Sequence, residues 1–81
     1  MSKPVVYVYM SHAEDWECFV SEESIVLAAD DDLYLAGTVS NLKELFLLMD
    51  AHDFDGEYFY NFVDHCLSHR LYNLLNADGG F

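Results

Sequence analysis

Two stretches in the second half of the chain repeat apolar side chains at the spacing of one helical face. Residues at i, i+3, i+4 and i+7 lie on the same side of an α-helix, so each stretch predicts a helix with an apolar stripe that must be buried. The two stripes are Leu42, Leu45, Phe46 and Met49, then Phe59, Phe62, Val63 and Cys66. The acidic turn Asp50–Glu57 separates them. The pattern therefore predicts a helical hairpin with a carboxylate-rich turn, and it places Cys66 in the core.

Polar residues at the ends of these stretches predict where the helices begin. Asn41 precedes Glu44 by three residues, the spacing of a capping box, so the first helix should run from residue 40 or 41 to about Ala51. Asp55 should cap a second helix that continues to about Ser68. The apolar stripe continues, in the same helix or in a separate final one, at Leu71, Leu74 and Leu75.

The first half of the chain has the residue types of β-strands. Val5–Met10 is almost entirely β-branched or aromatic, and both its odd-numbered and its even-numbered positions are apolar. Because these two sets face opposite sides of a sheet, the run predicts a central strand buried on both faces. Ala13–Val20 fits either a strand at period two or a short helix. We favour the strand, because Trp, Cys, Phe and Val are indifferent helix formers.

Two further apolar runs flank an aspartate triplet at positions 30–32. Ser24–Ala29 and Leu33–Val39 predict a β-hairpin around it, although a helix over Glu22–Ala29 competes with the first strand. Gly37 inside the second run indicates a bulge. Strands followed by helices predict an α+β fold, with an N-terminal antiparallel β-sheet of three to four strands packed against two to three C-terminal helices. We expect one acidic domain over residues 1–81.

The composition supports a packed core and sets an extreme charge. Of the 81 residues, 53% are hydrophobic and 16% are aromatic, enough for a small folded domain. Fifteen acidic residues face three Lys and Arg, which gives a formal net charge of −12. Such a charge favours encounter with basic partners, and it disfavours direct binding to nucleic acid or to an anionic membrane.

The cysteines and the apolar runs bear on the cellular location. A small secreted domain held together by disulfides usually carries four or more cysteines, whereas this chain has Cys18 and Cys66. The six-residue run Val5–Met10 is too short for the core of a signal peptide or for a membrane span. We therefore expect a cytoplasmic protein with reduced thiols. A disulfide between the two cysteines is the alternative.

Two metal-like motifs lack the full spacing that their chemistry needs. Asp53-x-Asp55-Gly56 resembles part of an EF-hand loop, but Ala51 and Phe62 would then occupy two ligand positions, and neither has a side-chain oxygen. His65-Cys66-x-x-His69 has two histidines at a metal-capable spacing. A zinc site there would have to recruit Cys18 or Glu57 from elsewhere in the chain.

No catalytic constellation accompanies these motifs. A cysteine nucleophile needs a base held beside an accessible thiolate, whereas Cys66 falls on an apolar stripe and Cys18 has only acids nearby. A chain of this length also leaves little room for a substrate pocket of ~300 Å³ or more. We expect no catalytic residue, metal or cofactor, and so not an enzyme.

The carboxylates and the aromatic side chains beside them are the candidate partner-binding residues. Acids without matching cations are typical of a surface that meets a basic partner, although a purely solubilising surface is the other interpretation. The aromatics crowded on the second helix cannot all face the core, so we expect some of them to serve as interface anchors within a charged border. The other interpretation is that Tyr58 and Tyr60 lie flat over the edge of the core. The candidates are Glu14, Asp15, Glu17, Glu22, Glu23, Asp30, Asp31, Asp32, Asp50, Asp53, Asp55, Glu57, Tyr58 and Tyr60.

In size, charge and aromatic content the chain resembles the small acidic phage proteins that disarm host nucleic-acid enzymes, among them anti-CRISPR proteins, anti-restriction proteins and uracil-DNA glycosylase inhibitors. The resemblance is carried by the acids from Glu14 to Asp32, the acidic turn and the aromatic run from Tyr58 to Phe62. It implies that ordered carboxylates stand where DNA phosphates would stand. It also implies an inhibitor in the host cytoplasm that blocks target DNA binding, most of all on a CRISPR effector complex.

A second class of function fits the same composition. An immunity or antitoxin protein that neutralises a basic nuclease toxin would also be small and acidic, with tyrosine and aspartate side chains as anchors. An adjacent toxin gene would favour this class, whereas a phage operon would oppose it. Both classes share one expectation, which is that the partner is a basic nucleic-acid-binding protein.

Overall fold

The computed structural model describes residues 5–13, 16–27 and 32–76. Three strands come first and the helices follow, which confirms the predicted α+β fold with an N-terminal antiparallel sheet. The elements are β1 (Val6–Ser11), β2 (Glu17–Ser21), β3 (Tyr34–Val39), α1 (Leu42–Ala51), α2 (Gly56–Asn61), a π-helical turn (Phe62–Cys66) and α3 (His69–Asn76).

The sheet has the strand order β2-β1-β3, so the first strand is central, as its sequence predicts. Val6, Val8 and Met10 are fully buried against the helices. Tyr9 points to the opposite face, because side chains alternate along a strand, yet only 1% of its surface is exposed. The backbone N–H of Ile25 donates to the Tyr9 hydroxyl at 2.9 Å, so the connection after β2 crosses this second face.

The predicted hairpin between Ser24–Ala29 and Leu33–Val39 is wrong. Its second strand forms as β3, but β3 pairs with β1, and residues 24–27 belong to no strand or helix. Positions 28 and 29 lie outside the described residues. Pairing with β1 brings Val39 into the core opposite Val6, and this burial outweighs the short-range turn signal. The strand expected within Ala13–Val20 is confirmed as β2.

Gly37 lies beside the bulge that its position indicated. Val8 pairs with Gly37 while Tyr9 pairs with Leu35, so Ala36 is the additional residue on β3. A Cβ atom on Gly37 would lie 3.4 Å from both terminal methyl groups of Leu48. The missing side chain therefore lets α1 pack closely on the sheet at this point.

Both predicted helix caps are confirmed. The side-chain oxygen of Asn41 accepts a hydrogen bond from the backbone N–H of Glu44 at 2.8 Å, and the Glu44 carboxylate accepts from the backbone N–H of Ser40 at 2.7 Å. Asp55 accepts from the backbone N–H of Tyr58 at 2.8 Å. These bonds satisfy donors that a helix start leaves free, so they fix where α1 and α2 begin.

The second helix does not continue as an α-helix to Ser68. After Asn61 the backbone forms a π-helical turn, in which the N–H of Leu67 donates to the carbonyl of Phe62 at 2.9 Å. Bonding from i+5 to i adds a residue to the turn, so later positions leave the 3.6-residue register. Cys66 is consequently exposed, contrary to the prediction, and Leu67 is buried in its place. The final helix is separate, as α3.

In the described part of the chain, one hydrophobic core lies between the helix-facing side of the sheet and the helices. A one-sided sheet covered by helices needs only a single core of this kind. Its buried residues are Val6, Val8, Met10, Cys18, Val39, Leu42, Leu45, Met49, Phe54, Phe59, Phe62, Leu67 and Leu75.

Candidate functional site

The turn after α1 is held against the sheet by two histidines and a tyrosine. Nε2 of His12 lies 3.0 Å from the carbonyl oxygen of His52. The Tyr34 hydroxyl lies 3.3 Å from Nδ1 of His12 and 3.1 Å from Nδ1 of His52. These bonds join residues from the ends of β1, β3 and α1, so they fix the acidic turn relative to the strands.

One arrangement of protons satisfies all three of these bonds. In it, His12 donates through Nε2–H to the carbonyl oxygen, and its Nδ1 accepts the Tyr34 hydroxyl proton. The Tyr34 oxygen then accepts from Nδ1–H of His52. Burial raises the pKa of Tyr34, and the nearby Asp53 carboxylate adds to the rise, so its hydroxyl proton is retained at neutral pH.

Aromatic side chains extend this network towards α2. The His12 ring lies 4.3 Å from the Trp16 ring, and the Trp16 ring meets Phe54 edge-on at 5.6 Å, measured between centroids. Phe54 in turn lies 4.8 Å from Tyr58. Phe54 is buried, whereas Trp16 is exposed. The cluster therefore couples the sheet to the second helix and presents an indole to solvent.

Carboxylates surround the cluster. Asp53 occupies the left-handed region at φ 69°, which lets the turn close, and it lies near enough to Tyr34 to raise that residue's pKa. Burial raises the pKa of Tyr58, and Glu17 is among the nearby groups that add to the rise. We call the following exposed carboxylates the acidic end: Glu17, Asp50, Asp53, Asp55 and Glu57.

The remaining predicted acids divide into three groups. Glu22 forms an ion pair with Arg70, whose Nε donates to the carboxylate at 2.6 Å and lowers the Glu22 pKa. Glu23 and Asp32 are exposed. The other predicted acids lie outside the described residues, and they are Glu14, Asp15, Asp30 and Asp31.

The predicted tyrosine anchors differ from one another. Tyr58 is half-buried against Phe54, whereas Tyr60 is exposed and meets Phe59 edge-on. Sequence reasoning gave no role to His12, Tyr34 or His52. Only the register between distant strands brings these three together, and no local spacing signals it.

Metal binding and the cysteines can also be placed. Within the described ranges, no three His, Cys, Asp or Glu side chains are positioned to hold a metal ion. Cys18 and Cys66 are free thiols and line one groove of about 400 Å³, which is larger than the chain length led us to expect. Burial, with a smaller effect of Cys66, raises the pKa of Cys18 to about 12, so Cys18 is not a nucleophile at neutral pH.

Comparisons with known proteins leave the chain without a matched relative. No family model matches it, and no curated protein or solved structure matches it either. Among the described residues, no helix is both long and apolar enough to cross a membrane.

Proposed function

We propose that this protein is an acidic inhibitor that binds the basic nucleic-acid-binding surface of a host defence complex. The host target that we favour is a CRISPR effector complex, on which the protein would act as an anti-CRISPR protein in the host cytoplasm. One observation carries the proposal: every carboxylate of the described residues is exposed, and within those residues a single ion pair, Glu22 with Arg70, neutralises one of them.

A rigid scaffold makes exposed charge useful for mimicry. Duplex DNA carries one negative charge per ~1.7 Å of its axis, so a mimic needs carboxylates at fixed positions. In the acidic end, Asp55 is fixed by its cap bond to Tyr58, and the turn is fixed by the contact between His12 and His52. The acidic end is therefore the part of the molecule that we assign to the basic site of the effector.

The test is competition for an effector complex. Guide-loaded CRISPR effectors of several types are mixed with fluorescent target DNA, and anisotropy is read as the protein is added. We expect displacement of the DNA that weakens steeply between about 0.05 M and about 0.5 M NaCl, because screening shortens the reach of charge. Simultaneous binding of DNA and protein at unchanged affinities, across these effectors, would contradict the proposal.

Charge reversal at two places locates the effect. Asp50→Lys alters the acidic end, and Asp64→Lys makes the same charge change at an exposed position in the π-helical turn. Asp50 is preferred to Asp53 for this purpose, because the left-handed backbone at Asp53 would disfavour lysine for a separate reason. We expect Asp50→Lys to weaken competition by about tenfold or more and Asp64→Lys to have a smaller effect. Equal losses would mean that only net charge matters.

A further inference from the structure

The face of the sheet away from the helices carries exposed apolar side chains. Phe19 and Leu35 both pair with Tyr9, one on each side, so the three form a row across the sheet. Tyr9 is 1% exposed, whereas Phe19 and Leu35 are each 49% exposed. The described part of the connection over this face adds Ile25 and the fully exposed Val26. We call Phe19, Ile25, Val26 and Leu35 the open-face patch.

Exposed apolar side chains grouped on one face of a sheet mark an interaction site more often than scattered single residues do. The helices already cover the other face of the sheet, and the connection covers Tyr9 but leaves its neighbours in solvent. The open-face patch is therefore not needed to close the core of this chain.

Acidic side chains border the open-face patch. Glu17 lies on β2 two positions from Phe19 and so shares its face. Glu17, Phe19 and Asp32 line one concavity of about 340 Å³, together with Ser11 and Leu33. Of the described cations, Arg70 is already paired with Glu22, and Lys43 belongs to α1.

The negative charge around the open-face patch indicates which class of molecule can bind there. A second copy of the chain would bring two negative borders together, and an anionic membrane or nucleic acid would be repelled in the same way. Lysine and arginine side chains have apolar stems and cationic ends, and a guanidinium also stacks on aromatic rings. A basic protein surface therefore matches both the ring of Phe19 and the carboxylates of Glu17 and Asp32.

We infer that the open-face patch is the docking surface for a basic protein, whose apolar side chains cover Phe19 and Leu35 while its arginine or lysine side chains end at Glu17 and Asp32. The inference rests on the proposed function, because it names the surface that supplies affinity to the same class of partner. The acidic end raises the rate of association with the partner, whereas the open-face patch lowers the rate of dissociation of the complex.

Two peptides of equal charge test this inference directly. One alternates arginine with leucine and the other alternates arginine with serine, and each is titrated into the isotopically labelled full chain while amide signals are followed by NMR. We expect the leucine peptide to bind about tenfold more tightly, with shifts concentrated at Phe19 and Leu35. Equal affinities, or shifts concentrated at residues 50–57 or at Cys66 and Leu71 in the groove beside Cys18, would overturn the inference.

Matched variants separate docking from folding. Phe19→Thr and Leu35→Thr remove the apolar side chains but introduce threonine, which is common in strands, and Leu47→Gln removes an exposed apolar side chain from α1 as the control. We expect the two strand variants to lose the preference for the leucine peptide and the control to retain it, with circular dichroism confirming that all three fold. If a strand variant is unfolded, the peptide shifts on the wild-type chain decide.

Two further outcomes bear on the occupant and on the proposed function. Sedimentation at about 0.5 M NaCl should give a monomer, and a dimer abolished by Phe19→Thr would assign the patch to a second copy. If the protein does not displace DNA from the effectors but still binds the leucine peptide at the patch, the proposed function is wrong and the docking surface is not. If Phe19→Thr and Leu35→Thr compete with DNA as well as the wild-type chain does, the open-face patch is not the docking surface, and the proposed function is unaffected.

Discussion

Nε2 of His12 donates a hydrogen bond of 3.0 Å to the carbonyl oxygen of His52, forty positions later in the chain. This bond connects the residue after β1 to the residue after α1. It holds the acidic turn beside the strands, and the carboxylates at 50, 53 and 55 flank the carbonyl that it uses. The position of the acidic end thus depends on a hydrogen bond between a side-chain ring and a backbone carbonyl.

Removing the His12 ring should loosen this connection. His12→Ala deletes the bond to His52 and the contact with Tyr34, so we expect the free energy of unfolding to fall by about 1–2 kcal/mol. The measurement is urea denaturation followed by circular dichroism and by the fluorescence of Trp16, the only tryptophan. His69→Ala is the control, because that histidine is exposed in α3. Equal changes in the two variants would show that the bond contributes nothing.

The left-handed backbone at Asp53 allows the effect of conformation on stability to be separated from the effect of charge. A left-handed φ of 69° is tolerated by asparagine and strained for a β-branched residue. Asp53→Asn should retain the wild-type melting temperature, whereas Asp53→Val should lower stability by about 1–2 kcal/mol. Thermal unfolding by circular dichroism provides the comparison. A valine variant as stable as the asparagine variant would mean that the turn relaxes to another conformation.

The cap of α2 offers a second such pair. Asp55→Ala removes the acceptor for the backbone N–H of Tyr58 and should cost about 1 kcal/mol. Asp55→Asn keeps an oxygen in the same place, so most of the stability should remain. Chemical denaturation of both variants checks this. Because the asparagine variant loses only the charge, its binding to a basic partner reports on electrostatics without a change in folding.

Alkaline pH should destabilise the fold through Cys18. Its pKa is raised from 9.0 to about 12 by burial, so the folded chain holds this proton more tightly than the unfolded chain does. The stabilisation is complete below the unfolded pKa and is lost as the pH rises towards the folded one, by about 1.4 kcal/mol per pH unit. Urea denaturation between about pH 8 and about pH 9.5 measures the onset of this loss, before most unfolded tyrosines ionise near pH ~10.

Two variants assign that slope to one thiol. Cys18→Ala should flatten the dependence of unfolding free energy on pH in this range, because it removes the buried group. Cys66→Ala deletes an exposed thiol and should leave most of the slope in place. A steep slope that persists in Cys18→Ala would place its origin elsewhere.

Local signals in the sequence determined much of this protein. The apolar stripes predicted α1 and α2, the side chains of Asn41 and Asp55 predicted their caps, and Gly37 predicted the bulge. Each of these features depends on residues within a few positions of one another. Their physical causes are side-chain spacing, hydrogen bonding to the nearest free N–H and the room that a missing Cβ leaves, all of which can be read along the chain.

Only the tertiary structure decided which elements meet. The chain gives no local sign that β3 pairs with β1 and not with residues 24–27, because strand pairing is settled by the burial that each partner gains. The π-helical turn that exposes Cys66 comes from backbone bonding that side-chain spacing does not encode. The meeting of His12, Tyr34 and His52 and the row of Phe19, Tyr9 and Leu35 follow from that pairing and register. The sequence therefore determined the net charge, the helices with their caps and the bulge. Long-range packing determined which of these elements meet and which surfaces they form.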